Sequence, residues 1–194
     1  MTINVDKCKH IRFGNKNPSI INQINHKPIG VVPFERDLGV FVDENLSFSP
    51  QISKLCLKLY YIAKGILLAC SSTCPSFYKS MFNIYIRPVL IYGMPFWSPL
   101  FDKDMAKLSK VLNFFTTRVF PKCRLLQSDS SARLTFLGLE TVQIMLSKIG
   151  LLYMFKIVHG LVEKPRFFPP LASTQTRGHK FKLYVEFSRL NILS

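Results

Sequence analysis

Hydrophobic and polar positions follow one period before Ser49 and another after it. Upstream, Ile11 and Phe13 alternate with polar neighbours ahead of Gly14-Asn15, and Ile29 to Val32 and Leu38 to Val42 are apolar and β-branched. Such pieces between turn residues read as strands, and they predict a small N-terminal antiparallel sheet ending near Asp43. From Ser49 onward Ile52, Leu55, Leu59, Ile62, Ile66 and Ala69 recur every three or four positions, the spacing of one helix face. Ser72 or Thr73 ahead of Pro75 reads as an N-cap with a first-turn proline, opening a second helix that runs to about Arg87. Arg87-Pro88 then disfavours a smooth continuation, because proline pushes its predecessor out of the α region.

Asp102 and Asp104 open the next helix, where negative charge suits the dipole. Met105, Leu108, Val111, Leu112, Phe115 and Val119 form its apolar stripe. Lys103, Lys107 and Lys110 share a neighbouring face, extended by Phe114 and Thr117, and read as a cationic stripe with no matching carboxylates. A last strong helix carries Val142, Met145, Leu146, Ile149, Leu152, Tyr153 and Ile157 and stops at Gly160. Beyond Pro165 the chain is irregular and, from Thr174 to Lys182, basic. The expected fold class is therefore α+β, mainly helical, with at least four helices after the sheet.

Composition narrows the choices. The 194 residues suffice for one domain with a real core, and 48% apolar with 13% aromatic residues exclude wholesale disorder. Twenty-six basic against 11 acidic residues leave +15, which implies a polyanionic partner. The positive mean hydropathy of +0.18 alongside that charge points to apolar surface meant for a neighbour. Leu55 to Cys70 is interrupted by Lys58 and Lys64, and Ile84 to Phe101 by Arg87 and three prolines, so neither is a good transmembrane helix. Met1 to Lys16 lacks the apolar core of a signal peptide. An intracellular chain, nuclear or cytoplasmic and off the membrane, is expected, with its five cysteines read as reduced core thiols.

Catalytic chemistry is thin. No Asp or Glu occurs between Asn45 and Phe101, whereas two-metal polymerases and nucleases need converging carboxylates. Glu35/Asp37, Asp43/Glu44 and Asp102/Asp104 sit at strand ends, turns or a helix start, so solvated or capping roles are expected of them and no metal site. His10, His26, His159 and His179 are far apart, and there is no nucleophile elbow or glycine-rich phosphate loop.

A longer pattern carries more information. Asn4-Val5-Asp6-Lys7-Cys8, Phe13-Gly14, Arg36-Asp37-Leu38-Gly39-Val40, Tyr85-Ile86-Arg87-Pro88-Val89-Leu90-Ile91-Tyr92 and Trp97-Ser98-Pro99 are followed by Arg133-Leu134, Leu137-Gly138-Leu139, Phe155-Lys156-Ile157-Val158-His159-Gly160 and Thr176-Arg177-Gly178-His179. In this order and spacing, from about residue 1 to about 183, the chain resembles the C-terminal part of the reverse transcriptase of non-LTR (LINE-type, jockey-like) retrotransposons. It departs from the family at Ile91, where Glu is usual, at Met145-Leu146, where an Arg-Arg pair is usual, and at Gly150, where Asp is expected.

The resemblance implies an organisation. Residues 1–45 correspond to the end of the palm with a primer-grip-like hairpin at Asp37, Leu38, Gly39 and Val40. Residues 46–162 correspond to a helical thumb-like region, and 163–194 to a basic, truncated connector. The catalytic Tyr-x-Asp-Asp would lie upstream of Met1, with the palm and fingers, and Lys7 matches a candidate general acid for the leaving pyrophosphate. The family enzyme uses Mg²⁺ at carboxylates this chain lacks, so no cofactor is expected in it and no polymerase activity of its own. Template-primer RNA or DNA would be held without sequence preference, through phosphates, by Lys103, Lys107 and Lys110 on the helix and Arg177, Lys180 and Lys182 in the connector. Trp97, Tyr85, Tyr92 and Phe96 are expected in the core. The other reading is a non-catalytic basic interaction domain, reused by a host and binding some other partner.

Overall fold

Every strand precedes Ser49 among the residues described by the computed structural model, which are 4–14, 20–99, 101–126, 128–165, 181 and 183. After a 3-10 turn over Val5–Lys7, β1 (Lys9–His10) pairs in parallel with β4 (Gly30–Val31). β2 (Gln23–Ile24) and β3 (Lys27–Pro28) form one antiparallel hairpin, and β5 (Phe34–Asp37) and β6 (Val40–Asp43) another. The expected small sheet thus consists of three two-stranded ladders, one of them parallel. Pro28 and Pro33 each remove a backbone donor just where a ladder would extend. The strand expected from Leu38 begins instead at Val40, because Leu38 and Gly39 have φ of 45° and 88° and make the turn.

Helix α1 (Ser49–Ala69) begins where the period changes. Its burial departs from the expected stripe at Ala63, which is fully buried, whereas Ala69 is exposed. The second helix differs more. Neither Ser72 nor Thr73 is the N-cap of α2 (Pro75–Met81); Cys74 is, while Ser72 Oγ accepts the Cys74 N–H at 3.1 Å. Nor does the helix stop at Arg87. A π-helical turn over Phe82–Ile86 leads into α3 (Arg87–Ile91), with the Arg87 N–H reaching back to the Phe82 carbonyl. Pro88 has no N–H to give, and its ring would strike the carbonyl four residues back, so the widened turn absorbs it.

Short α4 (Met94–Trp97) follows, then α5 (Asp102–Lys122), α6 (Ser130–Leu137) and α7 (Val142–Val158). Only α6 among the longer helices lay outside the expected set. Its ends are nonetheless written in the sequence: Asp129 Oδ1 accepts the Ala132 N–H at 2.8 Å, and Gly138 ends the helix at φ 58°.

The core forms where α1 crosses α5, with Ile52, Leu55, Leu59 and Ala63 set among Leu108, Val111, Leu112, Phe115 and Val119. Tyr60 meets Phe114 edge-on at 5.0 Å. Burying each large apolar side chain is worth roughly 1.5–3 kcal/mol, which is why this stripe, and not local propensity, fixes how α1 and α5 face each other. Met145 and Leu146, at the positions where the retrotransposon pattern has arginines, are buried. Arg133 is buried too, and among its partners are Thr116 Oγ1, Asn113 Oδ1 and the Ser128 carbonyl. Neutral acceptors therefore hold that guanidinium and tie α6 to α5.

Contacts divide the chain inside α7, into residues 1–149 and 150–194. The hairpin and the helices through the start of α7 fall in one unit, because β6 packs directly on α1. In the other, the His159 ring lies 4.0 Å from that of Phe155 and 4.5 Å from that of Phe181. Among the described residues no single helix is long and apolar enough to cross a membrane.

All five cysteines are free, but they are not all core thiols: Cys56 and Cys123 are buried, Cys8 and Cys70 intermediate, and Cys74 exposed. A hydrogen bond with Ser76 Oγ, then the N–H groups of Phe77 and Ser76, hold the Cys74 thiol below its ordinary pKa, whereas burial pushes Cys56 up to about 11. Thiolate is the reactive form. A limiting thiol reagent near neutral pH is therefore expected to modify Cys74 first, and Cys74→Ser to abolish the fast phase. Peptide mapping that finds the first label elsewhere would contradict this.

Candidate nucleic-acid interface

The sequence builds the β5–β6 hairpin locally. Asp37 pairs with Val40 across the two-residue turn Leu38-Gly39, and positive φ at both turn residues matches the right-handed twist of the strands. Leucine pays sterically for that conformation, and its side chain stays 85% exposed. What holds it is remote in sequence: the Tyr92 hydroxyl donates to the Leu38 carbonyl at 2.8 Å. A Cβ on Gly39 would stand 3.4 Å from the Tyr92 ring.

Below the turn, the Phe41 N–H donates to Gln51 Oε1 of α1 at 3.0 Å. Gly93 lets the α3–α4 connection approach β6, since a Cβ there would lie 3.0 Å from Val40 Cγ2. Trp97 is fully buried and donates Nε1–H to the Tyr92 carbonyl at 2.6 Å. Asp43 finishes the arrangement by taking the Phe48 N–H at 2.9 Å and both the Ser47 hydroxyl and N–H. Burial alone would raise its pKa, but these donors outweigh that and lower it. Neither role expected of this carboxylate holds: it is buried, not solvated, and it accepts from Ser47 and Phe48 in the connection ahead of α1, whose N-cap is Phe48.

On one side of the hairpin lies an open cleft of about 460 Å³, lined by Arg36, Gly39 and Phe41 from the hairpin, Gln51, Lys54, Leu55 and Lys58 from α1, and Pro88, Val89 and Tyr92. No carboxylate lines it. The Lys54 ammonium sits 3.3 Å from the Phe41 ring centroid and 5.4 Å from that of Phe34. The Arg36 guanidinium lies 5.9 Å from the Phe41 centroid. Sequence reasoning gave none of Arg36, Lys54 and Lys58 a binding role. The signal was present in the acid-free stretch after Asn45, with Lys54 and Lys58 one helical turn apart.

The lysines that sequence reasoning did name behave differently. Lys107 is not part of an unmatched cationic face: its ammonium meets Asp104 Oδ1 at 2.7 Å and Ser53 Oγ at 3.3 Å. Asp104 in turn is fully buried, not solvated, and accepts from Ser49 Oγ at 2.5 Å. Asp104 and Lys107 stand at i and i+3, neighbours on one helix, but Asp104 reads equally as a residue that complements the helix dipole. Lys103 is exposed and lies 4.9 Å from the Phe101 ring centroid. Lys110 is exposed. Arg177, Lys180 and Lys182 lie outside the described residues. Lys7 is an exposed residue of the 3-10 turn. Of the four aromatic residues expected in the core only Trp97 is buried, while Tyr85, Tyr92 and Phe96 are more than half exposed.

A protein of Caenorhabditis elegans described as uncharacterized is 23% identical to this chain over 137 residues, covering 71% of the chain and 67% of that protein. No family model matches the chain. No solved structure matches it either. Among the described residues no group of three or more His, Cys, Asp or Glu side chains is placed to hold a metal ion.

Proposed function

We propose that this chain is a piece of a non-LTR retrotransposon reverse transcriptase, comprising the end of the palm, the primer-grip hairpin and the thumb, and that it binds template-primer nucleic acid through phosphates without polymerising. The observation that supports this reading most is the joint between Tyr92 and Leu38. It connects two segments of the resemblance that lie 54 residues apart, joining the Leu38-Gly39 turn to the end of α3. The net charge of +15 supports the same substrate class, since a polymerase holds any sequence by its backbone. Residues 163–194 belong to this reading as a basic connector.

Binding of a labelled RNA–DNA hybrid tests it. Affinity is expected to be independent of sequence and to fall log-linearly with salt, by about 0.9 in slope per phosphate neutralised, while the same preparation extends no primer. Absence of binding near 50 mM salt would overturn this reading in favour of the interaction domain, and primer extension would overturn its non-catalytic part.

A further inference from the structure

We propose that the cleft between the β5–β6 hairpin and α1 holds one nucleotide of the bound strand, with phosphates on Arg36, Lys54 and Lys58 and the sugar or base against Tyr92 and Pro88. This deepens the nucleic-acid reading above and rests on it. Three cations from two elements line one concavity, and among the described residues none is in an ion pair with a carboxylate. Gathering like charges without a counter-charge costs free energy, which an anionic ligand recovers.

Neighbouring groups are already arranged for it. Lys54 lies over the Phe41 ring, which holds the ammonium in place by attraction to the ring face. Gln51 is 7% exposed and its carbonyl oxygen is committed to the Phe41 N–H, so its amide NH₂ group remains as a further donor lining the cleft. Leu55, Val89, Pro88 and the Tyr92 ring supply apolar wall, and a flat aromatic face stacks on any base. A volume of about 460 Å³ accommodates a nucleotide unit and is far too small for a duplex. Lys103 and Lys110 do not line this cleft.

The test compares Arg36→Gln/Lys54→Gln/Lys58→Gln with Lys103→Gln/Lys110→Gln, using the hybrid and a single strand of equal length. The cleft variant is expected to lose about tenfold or more in affinity near 50 mM salt, and its salt slope to flatten by about 1 to 2 units, at 0.9 for each of the two phosphates that flank one nucleotide. The α5 variant should change less. Lys58→Gln alone, an exposed helix position that leaves folding intact, should flatten the slope by about 0.9. If the unaltered chain binds but the cleft variants keep its affinity and slope, the cleft assignment is overturned while the nucleic-acid reading stands. If the unaltered chain does not bind, both fall.

Discussion

Trp97→Ala is expected to destabilise the fold by about 3–5 kcal/mol, the range for truncating a large buried aromatic. Trp97 is wholly buried, and the cost exceeds a simple cavity because its Nε1–H satisfies the Tyr92 carbonyl. Loss of that donor loosens the residue whose hydroxyl steadies Leu38 in its left-handed conformation. The hairpin tip should therefore lose protection from hydrogen exchange together with α4. Trp97→Phe keeps part of the volume but not the donor, and should cost roughly 1–3 kcal/mol for the unsatisfied carbonyl plus the smaller ring. Because the chain has a single tryptophan, which is buried, a red shift of its emission should report unfolding of the unaltered protein, and circular dichroism serves for the variants. A loss below about 1 kcal/mol for the alanine variant would show that this joint is not what anchors the hairpin.

The second large effect belongs to Asp104. Its carboxylate receives the Ser49 hydroxyl from the start of α1 and the Lys107 ammonium from its own helix, so it fastens the first turns of α1 and α5 together. Truncation to alanine should cost about 2–3 kcal/mol, the worth of hydrogen bonds to a buried charge when the cation keeps partial access to water. At roughly 2–4 °C per kcal/mol for a chain of this size, the melting temperature should fall by about 4–12 °C. Burial raises the Asp104 pKa, but the hydrogen bonds from Lys107 and Ser49 and the charges of Lys107 and Lys103 outweigh it, and the net shift is downward. A carboxylate with a lowered folded-state pKa contributes stability above its unfolded value near 3.9 and loses it as pH falls through the folded value. Acid unfolding should thus begin below about pH 4, and Asp104→Asn should flatten that limb, leaving Asp43 as the other carboxylate with a lowered pKa in this part of the fold. An unchanged acid limb in the asparagine variant would assign the transition elsewhere.

Both residues show how sequence and tertiary structure share the work. The change of period at Ser49 fixed the α+β class, the position of α1 and the end of the strands at Asp43, because apolar spacing is a local property of the chain. The apolar stripe of α5 was legible for the same reason: Leu108, Val111, Leu112, Phe115 and Val119 are all buried. The Leu38-Gly39 turn came only with the resemblance, since the apolar pattern runs a strand through Leu38, and the positive φ of both residues makes the turn. α6 could have been read from Asp129 and Gly138, which cap it.

What the sequence left open depends on partners far along the chain. Periodicity placed Lys107 on a cationic face, but only the crossing of α1 over α5 brings Ser49 and Ser53 to Asp104 and Lys107 and buries the carboxylate. Pro88 reads as a break, yet the π-helical turn before it keeps the helix going, because packing of Phe82 and Ile86 in the core holds the widened turn in place. The cleft is the clearest case. Arg36 lies 18 positions ahead of Lys54 and 56 ahead of Tyr92, and no local pattern relates a hairpin residue to one helix face and to the end of another. Their convergence comes from β6 docking on α1, which follows from burying Val40 and from the Gly93 approach, so the gathering of positive charge is a by-product of apolar packing that only the folded chain reveals.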